Sequence, residues 1–245
     1  MKTVLFIGIL SVVFFSNNLV SAGQTSTPLT GGIFAGYNRS NGNTNKSVAN
    51  MRLDLGRLSG RHAASLKGGM SYSSNNDLMD GQKWDVLGRY SYDFIQEGEW
   101  FTFYQFLADH DRFADIHYRL TPSAGFGYHL ARLKEWEWSV DAGFGVRFER
   151  HRVNPSEDDV FPTAIVHTFM KKTVFSKAFL SEDFVIYPGL EAQVASTIRS
   201  ETVFSNPLTD RLSTELRYIL DYNTAPSEGS KKSDIQLLAG VNYTF

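Results

Sequence analysis

Charged side chains recur at alternate positions along several segments of this 245-residue chain. Arg147 and Glu149, for example, are separated by a single residue. Residues two apart on an extended strand point to the same face, where they can pair with charges on neighbouring strands. The charges that alternation places on this common face are Arg52, Asp54, Lys67, Asp85, Arg89, Arg119, Glu137, Asp141, Arg147, Glu149, Arg199, Glu201, Glu215, Arg217, Asp221 and Asp234.

A charged face turned towards the inside of a barrel suits two functions. Rings of charge select ions or small solutes in pores, which predicts a narrow passive channel. The same charges can instead pair with one another, fill the interior and leave a closed structural barrel. Side chains fill eight-stranded barrels, whereas sixteen strands leave an aqueous channel, so an intermediate barrel is compatible with both functions.

Residue patterns for other chemistry are sparse. Cysteine is absent, which excludes disulfides, thiolate catalysis and cysteine-ligated metals. The six histidines have no close metal-binding spacing, and the chain has no His-x-Ser or Gly-x-Ser-x-Gly sequence. We therefore predict no catalytic residues, no metal and no cofactor, and keep an outer-membrane lipid-modifying enzyme as an alternative. A net charge of −2 offers no basic surface for nucleic acid.

The first residues have the features of an export signal. Lys2 precedes an apolar core from Val4 to Phe15, and small residues stand at Ser21 and Ala22. The apolar core is too short to span a bilayer comfortably, so we predict a signal peptide over residues 1–22. No linker or change of composition divides the remainder, which predicts one domain over residues 23–245.

The rest of the chain alternates between apolar and polar residues with period two, which is typical of strands with one apolar and one wet face. Turn-forming or polar stretches separate these segments, including residues 75–81. Twelve strands bring both termini to the same side, as bacterial barrels require. The predicted strands are Ile33–Ser40, Lys46–Arg57, His62–Ser73, Lys83–Phe94, Trp100–Asp109, Ile116–Leu130, Trp136–Glu149, Val160–Met170, Ala178–Tyr187, Val194–Ser205, Leu212–Tyr222 and Asp234–Phe245.

We predict an all-β fold, a transmembrane antiparallel up-and-down β-barrel of about 12 strands, with its apolar face towards lipid. Four tryptophans stand at or near predicted strand starts, where an interfacial girdle would place them: Trp84, Trp100, Trp136 and Trp138. Ile116 is assigned to the outer face. The strand from Trp100 is ambiguous because Phe101 and Phe103 oppose Trp100 and Tyr104. A soluble sandwich or a periplasmic carrier barrel is the alternative.

The last segment has an apolar row from Ile235 to Phe245 and resembles the C-terminal signal of outer-membrane barrel proteins, with Tyr243 and Phe245 as its aromatic residues. The resemblance implies recognition by the barrel assembly machinery and periplasmic chaperones. We therefore expect a monomer in the outer membrane, in contact with lipid and with periplasmic termini.

Several longer motifs resemble the DUF481 family of salt-induced outer-membrane proteins. They are SNGNTN at residues 40–45, DRFADIHYRLTPSAGFGYHL at 111–130, YPGLEA at 187–192 and NPLTDRLSTELRYILDYNTAP at 206–226. The resemblance implies an outer-membrane barrel linked to envelope or salt stress. It defines no catalytic site, because these motifs consist of turn formers, glycines and inward charges.

Overall fold

The computed structural model describes residues 28–40, 46–76, 78–95, 98–152, 159–191, 194–226 and 231–245, and the predicted leader over residues 1–22 lies outside them. The described residues form an all-β structure of twelve strands. They are β1 (Thr30–Ser40), β2 (Lys46–Ser59), β3 (His62–Asn75), β4 (Leu78–Asp93), β5 (Trp100–Asp111), β6 (Ile116–Leu133), β7 (Trp136–His151), β8 (Asp159–Val174), β9 (Ala178–Tyr187), β10 (Thr197–Pro207), β11 (Leu212–Asn223) and β12 (Ser233–Thr244).

Each strand pairs antiparallel with its neighbours in sequence, and β1 pairs with β12 to close the barrel. The fold class predicted from the alternation is therefore confirmed, and the sandwich alternative is excluded. At the seam, the Gly31 amide donates to the Phe245 carbonyl at 3.1 Å and the Phe245 amide donates to the Gly31 carbonyl at 2.9 Å. These two bonds extend the β1–β12 ladder to the last residue.

The two ends of the barrel differ in their connections. Both termini of the barrel, near Thr30 and Phe245, lie at the end that also carries short turns such as Gly60–Arg61; we call it the termini end. The opposite end carries the longer connections, such as residues 188–196, and we call it the loop end. The even strand number places both termini together, as the sequence predicted.

The outer face is rich in exposed apolar side chains, and the inner face carries the charges. On β7, Phe144 is 72% exposed, whereas Asp141 and Arg147 on the opposite face are 4% and 2% exposed. Strand β5 is resolved in the same way, since Trp100, Tyr104 and Phe106 are exposed while Phe101 and Phe103 are buried. Two phenylalanines of β5 therefore lie inside the barrel.

Two sequence predictions are wrong at the loop end. Ile116 is buried and lines the interior, not the outer face, because the β5–β6 and β6–β7 pairings both shift register near it. An irregularity of this kind changes the face to which the next residues point. The stretch 75–81 is not a long loop, since β3 runs to Asn75 and β4 begins at Leu78. Trp84 is consequently the seventh residue of β4 rather than a residue near its start.

Glycines on the inner face make room for close neighbours. A Cβ at Gly125 would lie 2.1 Å from the Ala142 carbonyl oxygen, and one at Gly127 would lie 2.1 Å from the Phe101 ring. A Cβ at Gly143 would meet the Ala124 carbonyl oxygen at 2.2 Å. The spaced glycines noted in the sequence therefore allow the β6 and β7 backbones and an interior ring to approach closely.

Candidate functional site: the charged interior

The barrel encloses a cavity of about 850 Å³. Its lining includes Thr30 and Gly31 at the termini end and Asn223 and Lys232 at the loop end. Thirteen of the charged residues predicted to face inward line the cavity: Arg52, Asp54, Lys67, Asp85, Arg119, Glu137, Arg147, Arg199, Glu201, Glu215, Arg217, Asp221 and Asp234. Arg89 and Glu149 also point inward, where Arg89 contacts Asp141 and Glu149 lies beside Arg119.

Ion pairs span this cavity from one wall to the other. The Lys67 ammonium lies 2.6 Å from an Asp183 oxygen, and the Lys83 ammonium lies 2.9 Å from Asp221. We call the pairs that join β2–β4 to β9–β12 the cross-lumen belt; its contacts are Lys67–Asp183, Arg52–Glu201, Lys83–Asp221, Lys83–Asp234, Arg199–Asp85 and Arg217–Asp54.

The belt shows that the barrel is flattened. Strands β3 and β9, which carry Lys67 and Asp183, are six positions apart around the barrel in either direction. Twelve strands spaced about 4.8 Å apart would give a round barrel a diameter of at least about 18 Å. A lysine and an aspartate in contact reach across only about 12 Å. The walls at β3 and β9 must therefore approach each other.

The most buried charges of the belt surround Arg217 on β11. Its guanidinium donates to Glu215 at 2.6 and 2.9 Å and to Glu201 at 2.7 Å. Glu201 also lies 3.2 Å from Arg52 on β2. The side chains of Arg217 and Glu215 are only 8% and 3% exposed, so these charges are compensated by one another rather than by water.

A second chain of polar contacts runs along β7, β8 and β9 and includes residues outside the predicted charged set. Asp141 accepts from Arg89 at 2.7 Å and lies 2.7 Å from Nδ1 of His167. The other nitrogen of His167 lies 3.1 Å from Asp183, which also accepts from Lys67. The His167 ring thus joins two carboxylates that each have their own cation.

Arg119 and Arg147 lie towards the loop end but differ in their partners. Arg119 donates to both oxygens of Asp109, at 2.7 and 3.1 Å, and lies 3.8 Å from Glu149. In the described part of the chain, Arg147 forms no ion pair, and its one hydrogen bond runs from Nη2 to the Thr197 hydroxyl at 3.0 Å. Its Nε has no hydrogen-bond partner and is buried. Arg147 is therefore a buried cation without a counter-ion among these residues.

Two clusters of buried apolar side chains also lie inside the barrel. One buried cluster contains Phe101, Phe103, Ile165 and Tyr187, and the other contains Phe34, Ile219 and Leu238. Arginines cover two of these rings: Arg89 lies 4.2 Å from the centroid of Phe103, and Arg217 lies 4.6 Å from that of Phe34. Cation–π contacts of this length hold both the ring and the guanidinium in place.

Glu137 and the predicted aromatic residues lie towards the ends and on the outer surface of the barrel. Glu137 is exposed on β7 opposite Lys171 of β8 at the termini end. Trp100 and Trp136 begin β5 and β7 at this end, and Trp136 stacks on Trp138 with centroids 6.1 Å apart. Trp84 stacks on His110 of β5, closer to the loop end. Tyr243 and Phe245 are exposed beside one another at the seam.

The sequence prediction omitted five residues that complete this interior: Lys83, Asp109, His167, Asp183 and Tyr187. Lys83 and Asp109 alternate with outward residues on β4 and β5, so the period-two pattern of these strands already places both side chains on the inner face. Residues of β8 and β9 were harder to assign, because phenylalanines occur on the inner face of both strands.

Within the described ranges, no three His, Asp or Glu side chains are arranged to hold a metal ion. The same residues include no helix that is long and apolar enough to cross a membrane.

Comparisons with known proteins bear on the fold and the family. A family model described as "Protein of unknown function, DUF481" matches residues 33–245. The uncharacterized protein YdiY of Escherichia coli (strain K12) is 23% identical over 225 residues, which span 89% of this chain and 84% of YdiY.

Two solved structures share the architecture. The NanC porin aligns with a TM-score of 0.55 at 11% identity, over 86% of this chain and 98% of the porin. An outer membrane channel from Pseudomonas putida F1 aligns with a TM-score of 0.51 at 12% identity, over 92% of this chain and 100% of the channel. At these identities the likeness shows a common barrel fold.

Proposed function

This chain belongs to the DUF481 family, whose description states no activity, and we propose that it is an outer-membrane barrel through which ions or small solutes pass passively. The observation that carries the proposal is the charged cavity, whose lining includes residues of both the termini end and the loop end. A closed barrel core would separate the two ends with packed side chains.

The size of the cavity sets the class of solute. A volume of about 850 Å³ distributed over a bilayer core of about 30 Å corresponds to a mean cross-section of about 28 Å². That cross-section is comparable to a few water molecules side by side, so we propose inorganic ions and solutes of a few carbon atoms. The proposal assigns no catalytic role to any residue.

The outer surface supports a membrane location. Exposed apolar side chains such as Phe144, Phe126 and Leu237 cover the wall, and a soluble barrel would expose polar groups there. We propose that this band contacts outer-membrane lipid in a monomeric barrel, with Trp100, Trp136 and Trp138 at one interface. In this proposal, the assembly machinery recognises Tyr243 and Phe245 after export by the predicted signal peptide.

A closed structural barrel is the second candidate, because the cross-lumen belt is a specific obstacle. Lys67 and Asp183 meet at 2.6 Å between opposite strands, and Arg52 meets Glu201 in the same region. The two candidates differ in whether ions pass beside the belt in the wild-type barrel.

Planar-bilayer conductance of the detergent-purified wild-type protein tests the proposal. We expect stepwise currents from the wild type and larger steps from the double variant Lys67→Ala, Asp183→Ala, because removal of this contact widens the passage. The matched control is Lys177→Ala with Glu135→Ala, which removes one cation and one carboxylate from exposed turns at the termini end. It should leave the step size unchanged.

Folding must be verified for each sample by heat-modifiable migration on a gel. A folded wild-type barrel without currents would refute the channel and support the closed barrel. Equal currents from the wild type and the Lys67, Asp183 double variant would show that the belt does not restrict the passage.

A further inference from the structure

A buried cation without an ion pair among the described residues faces the cavity in the loop-end half of the barrel. Arg147 is 2% exposed and lines the cavity with Thr197 and Tyr187. A guanidinium has five N–H donors, of which one in Arg147 reaches an acceptor among the described residues, the Thr197 hydroxyl at 3.0 Å. The other lumen arginines that line the cavity have carboxylate partners, as Arg119 has in Asp109. Burial of an unpaired charge is costly, so this site favours an anion.

The hydroxyl groups near Arg147 also have protons to donate. The Thr197 hydroxyl accepts from Arg147, and the Tyr187 hydroxyl accepts from Gln105 Nε2 at 3.3 Å. Each hydroxyl therefore keeps its own proton for another acceptor. Thr121, on β6 beside Arg147, is fully buried, and its hydroxyl has no hydrogen-bond partner in the described part of the chain. The group thus presents donors that lack a matching acceptor.

Aromatic contacts fix the guanidinium in one position. Its central carbon lies 5.3 Å from the ring centroid of Tyr187 and 5.7 Å from that of Phe161, which is paired with Arg147 on β8. A guanidinium that is held by its neighbours loses little entropy when it forms further hydrogen bonds. Arg147 is therefore preorganised for a planar acceptor.

We propose that Arg147, Thr197 and Tyr187 form a binding site for the carboxylate of a small organic acid, a proposal that rests on the channel function and specifies its solute. A carboxylate matches the planar donors of a guanidinium and can accept two parallel hydrogen bonds. Glu149 lies two residues along the same face of β7, and Asp109 lies on β5 beside Arg119. These carboxylates disfavour a dianion such as phosphate, so a monocarboxylate is the ligand class.

The test uses lactate, with 1,2-propanediol as a neutral analogue in which a hydroxymethyl group replaces the carboxylate. Saturation-transfer NMR on the detergent-solubilised full barrel measures the binding of each compound without any flux. The wild type should bind lactate and show no saturable binding of 1,2-propanediol. Loss of a hydrogen-bonded charge pair corresponds to about 10- to 100-fold weaker binding, which is the change expected for Arg147→Gln.

Two further variants test the site even if Arg147→Gln fails to fold. Thr197→Val and Tyr187→Phe keep Arg147 and should each weaken lactate binding by about 3- to 10-fold. Arg132→Gln is the matched control, because this arginine has its own carboxylate partner, Asp93, at 2.6 Å near the termini end. It should bind lactate like the wild type.

Three results would overturn the site: no lactate binding by the folded wild type, equal binding of 1,2-propanediol, or undiminished binding by the Thr197 and Tyr187 variants. Failure of the site is separable from failure of the channel. A barrel that conducts ions but does not bind lactate contradicts the carboxylate site alone. A barrel that binds lactate but passes no current contradicts the channel alone.

Discussion

Replacement of Arg217 by methionine should destabilise the folded barrel by about 3 kcal/mol. Arg217 is the shared partner of Glu215 and Glu201, with contacts of 2.6 and 2.7 Å. Removal of one partner from a buried ion pair costs about 3–5 kcal/mol, because the remaining charge stays buried without compensation. Glu201 keeps Arg52 at 3.2 Å, whereas Glu215 is 3% exposed and has no other ion pair among the described residues. Because the substitution leaves only the Glu215 carboxylate without a partner, we expect a loss of stability at the lower end of that range.

Urea titration of the protein in detergent micelles, followed by tryptophan fluorescence, measures this loss through the shift of the unfolding midpoint. Arg211→Met is the matched control, because Arg211 is exposed in a turn at the termini end. The double variant Arg217→Met, Glu215→Gln removes the orphaned charge and should recover about 1–2 kcal/mol relative to Arg217→Met alone. If Arg217→Met were within about 0.5 kcal/mol of the Arg211 control, the cluster around Arg217 would not contribute to stability as argued.

Two further perturbations address the wall and the seam. Gly125→Ala should destabilise the barrel by about 1–3 kcal/mol in the same titration, because the new Cβ would meet the Ala142 carbonyl oxygen at 2.1 Å. Gly88→Ala is the control, since a Cβ there would have no atom within 4 Å, and it should be neutral or slightly stabilising. Equal effects of the two substitutions would refute the close approach of β6 and β7. Deletion of Phe245 should lower the heat-modifiable, folded fraction in outer-membrane preparations, because it removes both the aromatic signal residue and the two seam hydrogen bonds with Gly31. Phe245→Ala keeps those hydrogen bonds and separates the two causes, and wild-type levels of both variants would show that the tail is not needed for assembly.

Period-two alternation was sufficient to predict the strand number and the inner and outer faces of most strands. Strand β7 shows why: Trp136 to Phe148 alternates without interruption, and one face is exposed while Asp141 and Arg147 are buried on the other. Closure was predicted from this alternation together with the C-terminal aromatic residues, and the pairing of β1 with β12 confirms it. The family resemblance, carried by the motifs of residues 40–45, 111–130, 187–192 and 206–226, agrees with the family match over residues 33–245.

The errors have local physical causes. The register shifts near Ile116 place this side chain inside the barrel, and no residue type in the sequence marks such a shift. Phe101 and Phe103 obscured the alternation of β5, because the interior is partly filled with rings that cover glycines such as Gly127. An apolar residue on the inner face is therefore compatible with this barrel wherever a neighbouring glycine provides space.

The identity of the cross-lumen partners could not be predicted from the sequence. Alternation assigns a charge to a face, but the partner across the cavity depends on barrel shape and strand tilt. Lys67 meets Asp183 because the barrel is flattened between β3 and β9, and His167 contacts two carboxylates because β7, β8 and β9 are adjacent. For the same reason, alternation could not predict that Arg147 has no ion pair among the described residues.

The cross-lumen belt has a consequence for how the barrel folds. Lys67 and Asp183 are separated by 116 residues, and Lys83 and Asp234 by 151. Such contacts form late, because the chain must first lose the entropy of closing a long loop. A partly assembled sheet therefore lacks the cross-lumen partners of Arg52, Lys67 and Lys83, and these contacts form together when β1 meets β12. Closure is thereby made cooperative, and open intermediates are kept too polar on one side to persist in the apolar interior of a bilayer.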